Sequence, residues 1–249
     1  MFTNLFLATG ASVLGLNAFR AARAIYRSVY VDFDFVSHFG KDSWALITGG
    51  SAGVGLGYAK AFANRGINLV LVANNAEELA AAEKELGSYV KIKTIVADLS
   101  SSDVKDYEAV WKEASKQDIS ILVNNVGMGT GFGRFHKGHP ANVVASSLYT
   151  TCIGHVYMTK LAWNHLESRK SKSAVINTSS IAGQYPFSYG GPYPWMKRFM
   201  MNMAYDIEGK NTEMFAFTPA TMPTKLAGMN PVSTVRVRPV DENIEGMFD

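Results

Sequence analysis

The chain has 249 residues, 24 Lys plus Arg against 21 Asp plus Glu, a formal net charge of +3 and a single cysteine, Cys152. That length holds one large domain or two small ones, and the apolar content is that of a folded globular protein. Scattered basic residues without a recognisable module argue against nucleic-acid binding, and one cysteine excludes an internal disulfide framework.

Residues 1–19, MFTNLFLATGASVLGLNAF, carry no charged side chain; Arg20, Arg23 and Arg27 follow, and the first acid is Asp32. Three readings compete. A secretory signal places its positive charge before the apolar run, and here the charge comes after. A membrane helix needs about 20 apolar residues, and this run is nearly that long, diluted by Asn4, Thr9, Ser12 and Asn17. Its small residues Gly10, Ala11, Ser12 and Gly15 suit packing against other membrane helices. An Arg-rich, acid-poor presequence for mitochondrial import is the third reading. The favoured expectation is a membrane anchor, with the arginines and the globular part on the cytosolic or matrix side. In residues 20–40, Ala21, Ala22, Ile25 and Val29 follow helical spacing between the arginines. This suits a connector lying along the membrane surface, or a plain linker helix. The expected organisation is therefore residues 1–40 as anchor and connector, and residues 41–249 as one domain.

Beyond Ser43, short apolar runs alternate with helical periods. WALITGG ends in glycines, and VGLGYAKAFANRG has helical periodicity that stops at Gly66, a natural C-terminal cap. INLVLVAN is nearly continuously apolar, as in a parallel strand buried on both faces. AEELAAAEKELGS reads as a helix, VKIKTIVADLS as a strand, and SDVKDYEAVWKEASKQ as a helix capped by Ser102 or Asp103. ISILVNNVG is a strand, and ANVVASSLYTTCIGHVYMTKLAWNHLESRK is one long helix that buries Cys152 as a small core residue. SAVINTSS is a strand, YPWMKRFMMNMAYDIEGK a helix, and MFAFTPA a strand, with STVRVRPV as a further short edge strand. The pattern predicts an α/β fold: a Rossmann-type, doubly wound, mostly parallel sheet of about six or seven strands behind the N-terminal hydrophobic helix.

The first turn reads TGGSAGVG. Glycines let a backbone approach a pyrophosphate closely, and the helix N-terminus behind them offers unpaired N–H groups and a positive dipole end. Following a strand, opening a helix and leading to a second strand, this is a specific dinucleotide signal. Its candidate cofactor contacts are Thr48, Gly49, Ser51, Gly53, Val54 and Gly55.

Four motifs then occur in one order: TGGSAGVGLG, ADLS, NNVG, and Ser180 followed by Tyr193 and Lys197. In this combination the chain resembles a short-chain dehydrogenase/reductase from about Ser43 to Thr224. Within that family it is most similar to the membrane-anchored 3-oxoacyl-CoA reductases and 17β-hydroxysteroid dehydrogenases. The resemblance implies that Asp98 and Leu99 contact the adenine, and that Asn125 and Gly127 border the cofactor. It also implies that Pro219, in PATMPTKL, lies near the nicotinamide carboxamide. Tyr193 would be the general acid for a carbonyl oxygen, and Ser180 would hydrogen-bond that carbonyl. Lys197, one helical turn on, would favour the phenolate and bind the cofactor ribose. The family's fourth catalytic residue, an asparagine that bulges the long central helix, is matched here by Thr151.

Other departures follow. An acid at the end of the second strand binds the ribose 2′-hydroxyl of NAD, and an arginine binds the 2′-phosphate of NADP. This chain has Asn74 there, so neither is encoded, and NADP(H) ahead of NAD(H) is the family's implication. Pro194 directly follows Tyr193, which a helix tolerates in its first turn. The sequence after Thr224 is shorter than the family's substrate-covering helices. His136 and His139, in HKGH, have no third ligand in view and read as a polar loop rather than a metal site. Two functions are expected to compete. One is a membrane-anchored NAD(P)(H)-dependent reductase of a 3-oxoacyl or steroid ketone. The other is an accessory, inactive subunit of a larger membrane complex, held by lipid or membrane-protein partners through the N-terminal helix, at the mitochondrial inner membrane or the endoplasmic reticulum. A peripheral enzyme with an import signal is a third option.

Overall fold

The computed structural model describes residues 34–100, 102–131, 133–185, 188, 190–207 and 209–219, together with Gly15, Ala18 and Phe19. The expected anchor therefore lies almost wholly outside the described residues, as does STVRVRPV. Among the described residues no helix is long and apolar enough to cross a membrane.

Six parallel strands form one sheet in the order β3-β2-β1-β4-β5-β6. They are β1 (Trp44–Thr48), β2 (Asn68–Ala73), β3 (Ile92–Val96), β4 (Ile119–Asn124), β5 (Ser173–Thr178) and β6 (Thr212–Phe217). A short helix, α1 (Phe35–Phe39), precedes β1. The crossovers are α2 (Gly53–Asn64), α3 (Ala76–Leu86), α4 (Val104–Ala114), and α8 (Tyr193–Asp206) before β6. Between β4 and β5 lie a short turn of helix, α5 (Phe135–Gly138), then α6 (Ala141–Leu148) and α7 (Gly154–Ser168). Asp103 caps α4, its carboxylate accepting from Lys105 N at 3.0 Å. β3 is shorter than VKIKTIVADLS suggested, because only Ile92–Val96 pairs with β2.

Successive strand residues face opposite sides of a sheet, and the central strands are apolar on both. Ala45 and Ile47 of β1 join Leu69 and Leu71 of β2 under Tyr58 and Phe62 of α2. Leu46, Val70 and Leu122 face the other way, against Tyr107, Met158 and Leu166. Burying a side chain of this size contributes roughly 1.5–3 kcal/mol. α1 adds Phe35 and Phe39 to the first of these layers. The Arg65 guanidinium covers the Phe35 ring at 5.3 Å, and Arg169 donates to the Phe39 carbonyl at 2.7 Å. The last residues of the expected connector thus pack with the sheet.

The expected long helix is interrupted. Between α6 and α7 the chain makes a π-helical turn, Tyr149–Ile153, centred on Thr151. One extra residue per turn widens the helix there, at the level where β1 and β4 end. The direction in which strands are added to the sheet reverses between these two, since β1 leads outward to β2 and β4 to β5. Such a switch point leaves a crevice beyond the strands' C-terminal ends.

Candidate active site

The glycine loop occupies the β1 side of that crevice. Gly49 and Gly53 have φ of +68° and +55°, a region that L side chains rarely adopt. A Cβ on Gly55 would overlap the Gly49 carbonyl oxygen and lie 2.7 Å from Asn125 Nδ2. The loop therefore closes against the start of α2 only because position 55 has no side chain. Ala52 opens α2 without a side-chain cap, so its first N–H groups face the crevice unclaimed by a capping oxygen. A glycine-lined cradle at an uncapped helix N-terminus fits a dinucleotide pyrophosphate. Ser51, inside the loop, donates from its hydroxyl to Glu78 Oε2 at 3.1 Å.

NNVG holds the loop from the β4 side. Thr48 Oγ donates to the Val123 carbonyl at 3.1 Å and accepts from the backbone N–H groups of Asn125 and Val126 at 3.0 and 3.2 Å. Asn125 Nδ2 donates to the carbonyls of Thr48 at 2.9 Å and Gly49 at 3.3 Å. Thr48 and Asn125 thus shape the cradle with their side chains. Asn124 points into the protein, donating to Thr159 Oγ and Asn177 Oδ1, each at 2.9 Å.

Ser180, Tyr193 and Lys197 converge across the crevice. Ser180 follows β5 and caps a 3₁₀ turn, Ile181–Gly183, accepting from Ala182 N at 3.3 Å. Gly183 lets that turn sit on α8, where a Cβ would meet Arg198 N at 2.7 Å. The Ser180 hydroxyl is thereby brought near the Tyr193 phenol, close enough to favour its ionised form. Tyr193 is the first residue of α8, so Pro194 falls in the first turn, where its missing N–H is harmless. Lys197 is 4% exposed, and its ammonium donates to the Thr178 carbonyl at 2.9 Å.

Burial, the largest influence, pushes the Tyr193 phenol above its ordinary value, and the Ser180 hydrogen bond pulls it partly back. Lys197 Nζ stands 5.4 Å from the Tyr193 ring centroid and donates to Thr178 O. Burial lowers Lys197 itself to about 8, with a small opposing influence from Cys152.

The π-helical turn brings Thr151 to the same place. Its hydroxyl accepts from Met128 N at 3.4 Å, and a Cβ on Gly127 would lie 3.7 Å from Thr151 Oγ and 3.9 Å from Lys197 Nζ. Gly127, Thr151 and Lys197 are thus neighbours. Cys152, in the same turn, is buried, which raises its thiol to about 11. One member of the cluster was not anticipated. His155, one helical turn after Thr151, is 1% exposed, its Nε2 2.8 Å from the Val126 carbonyl and its Nδ1 2.8 Å from Met200 Sδ. Burial and then the Lys197 charge lower it to about 3, so the ring is neutral and Nε2–H donates to Val126 O. Its spacing from Thr151 on the helix was the available signal.

The remaining candidates lie around the rim. Asn74 is exposed just past β2, and Asp98 is exposed past β3, accepting from Ser100 N at 2.9 Å. Leu99 is buried and accepts from Tyr107 Oη at 2.6 Å. Pro219 accepts from Ile181 N at 3.0 Å, beside the turn that carries Ser180. Val54 packs partly buried against the core. His136 is exposed; the His139 ring nitrogens lie 3.1 and 3.0 Å from the carbonyls of Thr130 and Gly133.

The short chain dehydrogenase family model matches residues 43–231. The sequence is 28% identical to a very-long-chain 3-oxoacyl-CoA reductase of Coccidioides immitis, over 94% of this chain and 71% of that protein. It is 33% identical to the 17-beta-hydroxysteroid dehydrogenase type 3 of Homo sapiens, over 63% of this chain and 50% of that protein. The chain thus spans about half to seven-tenths of the length of these relatives. Among solved structures it is similar to a short-chain dehydrogenase from Sphingobium yanoikuyae in complex with NADPH. The TM-score is 0.73 at 26% identity, covering 82% of this chain and 81% of that chain.

Proposed function

Because the chain belongs to the short chain dehydrogenase family, we propose that it binds a nicotinamide dinucleotide and reduces a bulky ketone, of 3-oxoacyl or steroid type, to an alcohol. The observation that carries this reading is the convergence of Ser180, Tyr193 and Lys197 on the crevice that the glycine loop borders. The glycine cradle and the uncapped start of α2 would hold the pyrophosphate. The dinucleotide, when bound, supplies the hydride. Tyr193 delivers the proton: its raised phenol keeps the acid form through neutral pH, as a donor to a developing alkoxide requires. Ser180 Oγ, close to that phenol, would add a second donor at the same oxygen. Lys197, near Gly127 and Thr151, lies where a proton can be replaced after transfer. The names of the relatives support the substrate class, and the apolar residues 1–19 support attachment to a membrane.

The test is ketone-dependent oxidation of reduced dinucleotide by the purified protein and by Tyr193→Phe. General acid catalysis is worth roughly 10²–10⁴-fold, and the variant should lose at least the lower figure while still binding dinucleotide. Equal turnover by the two proteins refutes the role of Tyr193. A second reading, a dinucleotide-binding subunit of a membrane complex without turnover, draws on Thr151 standing where the family has asparagine. It predicts dinucleotide binding with neither ketone reduction nor ketone-dependent oxidation of reduced dinucleotide by either protein.

A further inference from the structure

The loop that leaves β4 runs from the π-helical turn to the chain just before α8. At its near end Met128 is held twice: its N–H donates to Thr151 Oγ at 3.4 Å, and its carbonyl accepts from Ser147 Oγ at 3.3 Å. At its far end Gly133 forms a parallel bridge with Gly190, whose carbonyl accepts from Tyr193 N at 3.2 Å. Phe135 packs on Trp195, their ring centroids 5.1 Å apart. His139 joins these pieces. Its Nδ1 lies 3.1 Å from the Thr130 carbonyl and its Nε2 3.0 Å from the Gly133 carbonyl. A carbonyl only accepts, so in either tautomer one ring N–H donates to the loop. The ring also rests on Gly191, where a Cβ would overlap Nε2 and lie 2.6 Å from Cε1. Gly191 has a φ of +55°, a turn that glycine adopts readily and other residues do not. Tyr193 follows two residues later.

Building on the reductase reading above, we infer that His139 is a positioning residue for Tyr193. It ties the loop after β4 to the Gly190–Gly191 turn, and that turn sets where α8 begins and where the phenol stands. Tyr193 is the first residue of α8, and helix ends fray, so it depends on the chain before it as well as on the helix behind. Displacing a reacting group by about 1 Å can cost about 10²-fold in rate, so a loosened turn is felt as lost turnover. The glycine cradle is built on β1 and α2 instead, so loss of the clamp leaves dinucleotide binding in place.

The test measures steady-state reduction of a long-chain 3-oxoacyl-CoA and of a 17-oxosteroid by the 249-residue protein, and the faster ketone serves for the variants. Calorimetric titration with ADP-ribose, a fragment that lacks the nicotinamide, reports binding without turnover. His139→Leu removes both ring nitrogens. Its kcat should fall at least about tenfold, with the ADP-ribose Kd within about twofold of the parent's. Glutamine reaches about as far as Nε2 and can donate to the Gly133 carbonyl beside the bridge, so His139→Gln should recover kcat to within about threefold of the parent. Asparagine reaches only as far as Nδ1, and His139→Asn should recover less. A side chain that merely supported the fold would not rank the two amides in this way. Circular dichroism and the melting temperature check that each variant is folded, and if His139→Leu is not, the ranking of the two amides decides. A kcat of folded His139→Leu equal to the parent's overturns the inference and leaves the reductase reading standing, as does a kcat of His139→Asn equal to or above that of His139→Gln. ADP-ribose affinity that falls in step with kcat also overturns it, since the loss is then general. No turnover of either ketone by the parent overturns the reductase reading itself, and this role with it.

Discussion

Replacing Lys197 with methionine should make the protein more stable at neutral pH. The ammonium is 4% exposed, and its one hydrogen bond is to the Thr178 carbonyl. Its charged neighbours give little help, since Cys152 opposes the shift only weakly and His155 is neutral. A fall from 10.5 to about 8 disfavours the charged form in the fold by about 3 kcal/mol, at about 1.36 kcal/mol per unit. Methionine fills similar space without charge, and losing the Thr178 hydrogen bond removes about 1 kcal/mol. The net gain is about 2 kcal/mol at pH 7, or a rise in melting temperature of roughly 4–8 °C for a domain of this size. The pH dependence identifies the cause. A lysine with a depressed folded value adds stability that is fully present above 10.5 and lost as pH falls through about 8. The parent should therefore gain on Lys197→Met across that window, and the two should converge near its upper end. Urea unfolding of both proteins at pH 7, 8.5 and 10 measures this. A methionine variant less stable at pH 7, or a difference that does not change with pH, refutes the reasoning.

His155 works in the acid range. Its folded value of about 3, against 6.5, means its contribution is present above 6.5 and disappears as pH falls toward 3, about 3 kcal/mol of it by pH 4. His155→Gln keeps a donor for Val126 O, so urea unfolding at pH 7 and pH 4 should show a smaller acid loss in the variant than in the parent. In Gly55→Ala the new methyl would overlap the Gly49 carbonyl; the loop must open, and ADP-ribose titration should show affinity reduced by at least about 10²-fold, since such a clash exceeds 3 kcal/mol. Thr151→Val removes a hydroxyl at nearly constant shape. If that hydroxyl serves the proton route, kcat should fall roughly tenfold or more with KM little changed, as for a group used only in the transition state.

The elements of the sheet were legible because the central strands are apolar on both faces and the helices carry period and caps. β2, with every residue buried, reads as a strand on composition alone, and Asn75 and Asp103 mark helix starts. The π-helical turn was hidden for a physical reason: an insertion of one residue leaves apolar periodicity nearly intact on both sides, so one long helix was the natural expectation. β3 was overextended because VKIKTIVADLS alternates beyond the residues that pair. At the site, Ser180, Tyr193 and Lys197 were found by spacing, and the structure does bring them together. Their electrostatics were not legible, since they depend on how deeply the packing of α8 buries Tyr193 and Lys197. His155 escaped notice because a lone histidine in an apolar helix carries no chemistry until the Val126 carbonyl is seen facing it.

Lys197 also bears on the choice between an enzyme and an inert scaffold. A buried ammonium that lowers stability by about 3 kcal/mol does nothing for a scaffold that methionine would not do better. It has a use if, as proposed above, a cation is needed beside a phenol that gives up a proton. The same crevice contains a neutral His155, which withholds a second positive charge from Lys197, and a Cys152 thiol kept inert by burial. Of these three groups, Lys197, lowered to about 8, lies nearest to neutral pH. If Lys197→Met stabilises the protein and abolishes both ketone-dependent oxidation of reduced dinucleotide and the response of stability to pH between 8 and 10, the lysine's instability and its chemistry are one feature. If the parent shows the stability signature but no turnover with any ketone, the site is formed but idle, and the reading as a subunit of a membrane complex takes precedence.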